Sequence, residues 1–125
     1  MKINNIMDIK YRLIGHINHT HGTSIKAKQV SFANINKRKN VWWLNIAVSK
    51  FTDDVHLLLN TPEYAYWVQL PKGFAEGVPF IIRPDKNAVD LEISANPEFM
   101  YLKDVKSGGV GFDFEGYLKE KIALL

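Results

Sequence analysis

Residues 37–48 read Lys37-Arg38-Lys39-Asn40-Val41-Trp42-Trp43-Leu44-Asn45-Ile46-Ala47-Val48. Three cations and an asparagine lead directly into the most apolar strand-like stretch of the chain, which carries two adjacent tryptophans. β-branched and aromatic residues favour strands, and alternate residues of a strand point to opposite faces. The stretch therefore predicts a basic turn followed by a central β-strand. The residues expected on its core face are Trp42, Leu44, Ile46 and Val48, which leaves Trp43 and Asn45 on the second face.

Size and composition set the class of protein. The chain has 125 residues, of which 46% are hydrophobic and 23% charged, which predicts one globular domain over residues 1–125. The absence of cysteine excludes disulfides, thiolate zinc sites and thiol catalysis. The N-terminal residues lack the apolar core of a signal peptide, and the apolar runs are too short to span a bilayer. We therefore expect a cytoplasmic protein without a membrane partner; its protein partners stay open.

The net charge of +3 hides a division along the chain. Residues 1–50 contain nine Lys or Arg and one acid, a net charge of +8, whereas residues 51–125 contain seven Lys or Arg and twelve acids, a net charge of −5. A division of this kind indicates that one face meets an anion, and nucleic acid is the commonest large anion in a cell. A lopsided but merely solvated surface is the alternative.

The remaining elements follow from periodicity. Residues 4–18 have helical apolar spacing, with Asn4 or Asn5 as the N-cap. Residues 117–125 predict a short helix, since Leu118, Ile122 and Leu125 lie at i, i+4 and i+7. Alternation and turn residues predict strands within residues 23–35 (one or two), 41–48, 55–60, 64–70, 78–83, 88–95 and 99–105.

Short connections between these strands favour antiparallel neighbours. The predicted fold is α+β: about seven short, mostly antiparallel strands in a bent sheet or partly open small barrel, with one N-terminal and one short C-terminal helix. Small barrels often bind nucleic acids or oligosaccharides on an exposed face.

These features predict a non-catalytic nucleic-acid-binding module without a cofactor, with DNA as the expected nucleic acid. Phosphate contacts position such a protein and base contacts give it specificity. The same kind of module occurs within larger DNA-processing or defence proteins. The residues expected to hold phosphates are Arg12, Lys26, Lys28, Lys37, Arg38 and Lys39. Base or sugar contacts are expected from Asn34, Asn36, Asn40 and Trp43.

An enzymatic alternative comes from a short motif. Pro84-Asp85 is followed, after eighteen residues, by Asp104-Val105-Lys106. This spacing resembles the PD-(D/E)xK pattern of a large nuclease superfamily. The resemblance implies that Asp85 and Asp104 hold Mg²⁺ and that Lys106 positions or activates the attacking water. A third alternative is a protein-interaction domain that uses an aromatic patch of Tyr64, Tyr66 and Trp67.

Three histidines, His16, His19 and His21, lie where the first helix is expected to end. Neutral imidazole is a common metal ligand, and the His-x-His pair could chelate zinc, nickel or copper. A metal site would need a third ligand, and His56 is the only other histidine. The alternative role for the three histidines is a share in the basic face.

Overall fold

The computed structural model describes the backbone of residues 6–106 and 108–124, and side chains from residue 8 onward. Short 3₁₀ helices lie at Ala27–Gln29, Val48–Thr52 and Glu115–Tyr117. The helices are α1 (Ile6–His21) and the four-residue α2 (Phe74–Gly77), and the strands are β1 (Val30–Asn36), β2 (Val41–Ala47), β3 (Val55–Asn60), β4 (Tyr64–Leu70), β5 (Ile82–Arg83), β6 (Ala88–Ser94) and β7 (Leu118–Ala123).

The seven strands form one open sheet in the order β5-β6-β2-β1-β3-β4-β7. The neighbouring strands are antiparallel except β1 and β3, which run parallel. This arrangement confirms the predicted α+β fold with about seven mostly antiparallel strands, and the sheet is not closed into a barrel. β2 is an inner strand, paired with β1 along one edge and with β6 along the other, and β1 is the middle strand of the sheet.

Each face of the sheet carries its own core. One face, which we call the loop side, packs Trp42, Ile46 and their neighbours against α2 and loop residues that include Leu102, Phe112 and Phe114. The other face, the helix side, packs Leu13 and Ile17 of α1 against Trp67. Fully burying one such aliphatic side chain contributes about 1.5–3 kcal/mol. Loops and α2 therefore cover one face of the sheet, and α1 covers part of the other.

Helix α1 agrees with the predicted periodicity, since Leu13, Ile14 and Ile17 are all buried. The predicted caps Asn4 and Asn5 lie outside the described residues. The helix ends before Gly22, which has a φ of 66°, a conformation that glycine adopts without strain. The side chain of Asn18 then holds the segment that follows the helix, because its Nδ2 donates to the Ile25 carbonyl and its Oδ1 accepts from the Ile25 N–H.

The predicted C-terminal helix is wrong, because residues Leu118–Ala123 form strand β7 on the edge of β4. A β-bulge explains why the apolar spacing of this strand resembles that of a helix. The register shifts between Trp67 and Val68, so that Leu118 packs on the loop side while Ile122 packs on the helix side. Two residues four apart would share one face of a regular strand. The shift across the bulge separates them, and pairing satisfies backbone groups along the edge of β4.

Three predicted strands are shorter than expected or absent. Residues 23–29 contain a 3₁₀ turn instead, in which the Lys26 N–H donates to the Gln29 side chain. Such local bonds compete with strand pairing. Residues 99–105 make only isolated bridges, since Met100 and Leu102 have φ values of 54° and 56° that no extended strand contains. Of residues 78–83, only Ile82–Arg83 pairs, as β5.

Candidate nucleic-acid-binding surface

Helix α1 covers only part of the helix side of the sheet. Its apolar residues pack over β1, β3, β4 and β7, as the shared cluster of Leu13, Val30, Leu58, Trp67 and Ile122 indicates. On the same side of β2 and β6, the outward residues include Trp43, Asn45, Asp90 and Glu92. We call the outward side of β2, β5 and β6, together with the adjoining Lys39 and Lys106, the open face.

Trp43 is the large exposed aromatic side chain that β2 contributes to the open face. Half of its surface is exposed (50%), whereas its neighbour Trp42 is fully buried on the loop side. The Lys39 Nζ lies 5.5 Å from the centre of the Trp43 ring, and 3.8 Å from the carboxylate of Glu92, which is directly opposite Trp43 on β6. A cation over an indole is favourable and holds the ring in place. Trp43 is therefore an accessible, oriented stacking platform.

Beside Trp43, three polar side chains, Asn45, Asp90 and Arg83, are linked by hydrogen bonds. The Asn45 Nδ2 donates to Asp90 Oδ1, and the Arg83 Nη1 donates to Asp90 Oδ2 at 2.9 Å. The bonds from Asn45 and then Arg83 hold the pKa of Asp90 below its ordinary value, so the carboxylate is ionised at neutral pH. Arg83 also pairs with Asp85 at 2.8 Å. These hydrogen bonds thus hold the Asp90 carboxylate between the Asn45 amide and the Arg83 guanidinium.

These side chains border a hollow of about 420 Å³. Its rim includes Trp43, Asn45, Arg83, Asp90 and the exposed Lys106. The three cations around it, Lys39, Arg83 and Lys106, are balanced by the acids Asp85, Asp90 and Glu92. The hollow therefore combines an apolar ring with hydrogen-bonding groups of both charges, and the unpaired positive charge of this region comes from Lys37 and Arg38 on the adjoining turn.

The predicted basic residues divide into separate groups. Lys37, Arg38, Lys39 and Asn40 are exposed on the β1–β2 turn, where Asn40 has a φ of 58°. Lys26 and Lys28 are also exposed, but they precede β1, whereas the turn follows it. A strand of seven residues spans about 20 Å, so the length of β1 lies between this pair and the turn cations.

The other predicted contacts follow the same division. Arg12 borders a second cavity of about 390 Å³ between α1 and the β3–β4 turn, which it shares with His16 and Asn60. Asn34 and Asn36 lie on the helix side of β1, and Asn36 is paired with Val41 at the start of β2. The structure therefore places Asn36 with the turn cations, since its Oδ1 accepts from the Lys39 N–H, whereas the Asn34 Oδ1 accepts from Asn60 and Lys26 and Lys28 precede β1.

The residues of the nuclease alternative occupy different environments. Asp85 is exposed and paired with Arg83, and Lys106 is exposed at the hollow. Asp104 is 1% exposed, and its two carboxylate oxygens accept hydrogen bonds from the N–H groups of Glu92 and Gly111. Asp104 is thereby engaged in joining β6 to the turn at residues 108–111.

The predicted histidine group lies on the last turns of α1. His16 and His21 contact the two oxygens of one carboxylate, Glu120 on β7, at 3.2 and 2.8 Å. Burial acts to raise the pKa of Glu120, but the bonds from His21 and His16 prevail and hold it below its ordinary value. His19 is exposed. Within the described residues, no group of three or more His, Asp or Glu side chains is placed to hold a metal ion.

The aromatic patch of the protein-interaction alternative is not a surface. Tyr66 and Trp67 are buried and Tyr64 is half-buried. Trp67 packs in the helix-side core and its Nε1 donates to Nδ1 of the buried His56 at 3.0 Å. These rings therefore stabilise the fold.

His56 predicts a specific pH dependence of stability. Burial lowers its pKa below 6.5, against a smaller opposing effect of Asp54 and Asp53. Below pH 6.5 the unfolded chain therefore binds a proton at His56 more readily than the folded protein does. The free energy of unfolding is highest above pH 6.5 and decreases as the pH falls through 6.5 towards the lower pKa of the folded state. Protonation at Nδ1 would also remove the acceptor of the Trp67 N–H bond. We expect thermal unfolding of His56→Asn to depend less on pH between 7.5 and 5 than that of the wild type. His19→Asn is the matched control, and equal pH dependence in all three proteins would contradict the prediction.

Sequence reasoning missed Arg83, Asp90 and Lys106 as members of one surface. The sequence predicts Trp43 and Asn45 on the second face of their strand. The missing information was that β6 pairs with β2, which brings Asn45 opposite Asp90. No local pattern specifies a pairing between residues so far apart in the chain.

Comparison of the chain with protein-family models, curated proteins and solved structures found no match. In the part of the chain that the structure describes, no helix is long and apolar enough to cross a membrane.

Proposed function

We propose that the protein binds single-stranded nucleic acid on the open face, as a module that does not itself catalyse a reaction. The observation that carries the proposal is Trp43, a half-exposed indole on a strand with a lysine ammonium held over it. Aromatic side chains on an exposed sheet stack with unpaired bases, whatever the base, because every base has a π-face.

The charges around Trp43 support the same proposal. Lys37 and Arg38 extend from the turn next to Lys39, and Arg83 and Lys106 border the hollow beside the ring. A groove that binds single strands combines such cations for the phosphates with aromatic rings for the bases. The acids Asp90 and Glu92 are paired with Arg83 and Lys39, so they do not leave a net negative surface there.

A single strand is preferred over a duplex because of the geometry of the platform. The Trp43 ring rises from the surface of a sheet, and bases inside a duplex present only their edges to a protein. An unpaired base can turn outward and lie against the ring. We expect DNA as the ligand, and the same assay with RNA of equal sequence tests that choice.

The salt dependence of binding tests the proposal. Binding of a fluorescently labelled deoxythymidine oligomer is followed by anisotropy at several salt concentrations. Each phosphate contact contributes about 0.7 to the slope of log affinity against log salt for single strands. Lys37/Arg38→Ala removes two exposed cations beside the open face, and we expect the slope to fall by about 1.4 if both contact phosphates.

Lys26/Lys28→Ala is the matched control. It removes the same charge from the opposite end of β1, and we expect the slope to stay close to that of the wild type. Equal effects of the two double variants would indicate diffuse attraction and contradict a site on the open face. Absence of binding at low salt would reject the proposed function.

A further inference from the structure

We infer that the hollow beside Trp43 selects guanine among the bases, through the fixed chain of Asn45, Asp90 and Arg83. This inference rests on the proposed function, because it specifies which base the same surface accepts most readily. The chain of side chains is a separate observation from the stacking platform, and stacking alone would not need it.

The first step concerns reach. Asn45 is two residues from Trp43 on the same face of β2, and Asp90 is directly opposite Asn45 on β6. Residues two apart on a strand are separated by about 7 Å, and directly opposite residues by about 5 Å. A base that stacks on Trp43 therefore places one edge next to the Asp90 carboxylate, across the hollow that both residues border.

The second step concerns hydrogen-bonding capacity. One oxygen of Asp90 accepts from Asn45 and the other from Arg83, and each carboxylate oxygen can accept a further bond. Both bonds fix the rotamer of Asp90 before any ligand arrives, and they hold its charge. Asp90 therefore presents two adjacent acceptors, with the ammonium of Lys106 on the same rim as a donor.

The third step compares the bases. Guanine carries two adjacent donors, N1–H and the 2-amino group, next to the acceptor O6. Adenine and cytosine place a ring-nitrogen acceptor beside their amino group, and thymine and uracil have one N–H between two carbonyls. An ionised carboxylate therefore forms two bonds with guanine alone, and it repels the acceptor atoms of the others. Bidentate contacts of this kind give the strongest discrimination between bases.

The test uses labelled heptamers of deoxythymidine whose central base is guanine, adenine, cytosine or thymine. By anisotropy we expect the guanine heptamer to bind the wild type about tenfold more tightly than the other three. In Asp90→Asn one acceptor becomes a donor, so we expect the ratio of guanine to thymine heptamer affinity to fall below about twofold, whatever the change in affinity common to all four heptamers. Asp85→Asn is the matched control, because it removes the same charge and also contacts Arg83, but it does not border the hollow. It should keep the preference.

The outcomes separate the two proposals. Equal binding of the four heptamers by the wild type, or preference for another base, overturns the guanine inference and leaves the proposed function intact. Retention of the preference in Asp90→Asn, or equal loss in Asp85→Asn, also overturns it. Failure of every heptamer to bind rejects both. The ranking of bases by the wild type decides the matter even if Asp90→Asn does not fold.

Discussion

Asp104→Ala is expected to lower the free energy of unfolding by about 3 kcal/mol. The carboxylate is buried and accepts from two backbone N–H groups, those of Glu92 at 3.1 Å and Gly111 at 3.3 Å. Alanine removes the acceptor of both donors; an unsatisfied buried N–H at Glu92 costs about 1–3 kcal/mol, and loss of the bond to the exposed Gly111 adds about 1 kcal/mol. For a chain of this length the thermal midpoint should fall by about 10 °C, which differential scanning calorimetry measures.

The surroundings of Asp104 limit any compensation. A Cβ added at Gly109 would lie 2.5 Å from the Asp104 Cγ and 2.6 Å from a methyl group of Leu91, so the turn is packed directly on the carboxylate. Asp85→Ala, which removes the exposed carboxylate of the same motif, is the control and should leave the midpoint nearly unchanged. A midpoint that Asp104→Ala does not lower would show that this carboxylate is dispensable for the fold.

Trp43→Ala is expected to weaken binding of a single-stranded oligomer about thirtyfold, without changing the slope of affinity against salt concentration. Stacking of one base on an aromatic ring contributes about 1–3 kcal/mol, and the indole carries no charge that could release counterions. Trp43→Ala therefore measures the stacking contribution to the affinity, and Lys37/Arg38→Ala measures the electrostatic contribution through the salt dependence.

Tyr11→Ala is the matched control for Trp43→Ala. Tyr11 is exposed to a similar extent, 54% against 50%, but it lies on α1 rather than on the open face. We expect Tyr11→Ala to bind the single-stranded oligomer with the same affinity as the wild type. Trp43→Phe should keep part of the affinity, since a smaller ring still stacks. Equal affinities of Trp43→Ala and the wild type would exclude Trp43 as a contact.

Local sequence patterns predicted those elements whose residues specify their own structure. The strand over Val41–Ala47, the hairpin of Val55–Asn60 and Tyr64–Leu70, and the strand over Ala88–Ser94 all follow from alternation and turn residues. Helix α1 follows from its apolar stripe. The predicted core face of Val41–Ala47, which carries Trp42, Leu44 and Ile46, is buried, whereas Val48 lies in the following 3₁₀ helix.

The pairing of strands could not be predicted in the same way. β2 lies between β1, its neighbour in the chain, and β6, which begins 41 residues after the end of β2 at Ala47. The register of that distant pair determines that Asn45 meets Asp90. It therefore also determines which residues meet on the open face, because alternation within one strand predicts only which of its own residues share a face.

The C-terminal error has a different cause. The spacing of Leu118 and Ile122 fits one face of a helix, and the bulge opposite Trp67 gives the same spacing in a strand that contacts both cores. Hydrophobic periodicity assumes a regular element. An irregular strand that supplies one residue to each core therefore cannot be distinguished from a helix on periodicity alone.

The unequal exposure of the three tryptophans gives the protein an internal optical reporter. Trp42 and Trp67 are shielded by the two cores, whereas Trp43 is in contact with water. Iodide or acrylamide in solution should therefore quench the emission of one indole and leave that of the other two. Any molecule that covers this ring would protect it from the quencher, so occupancy can be read in the unlabelled protein.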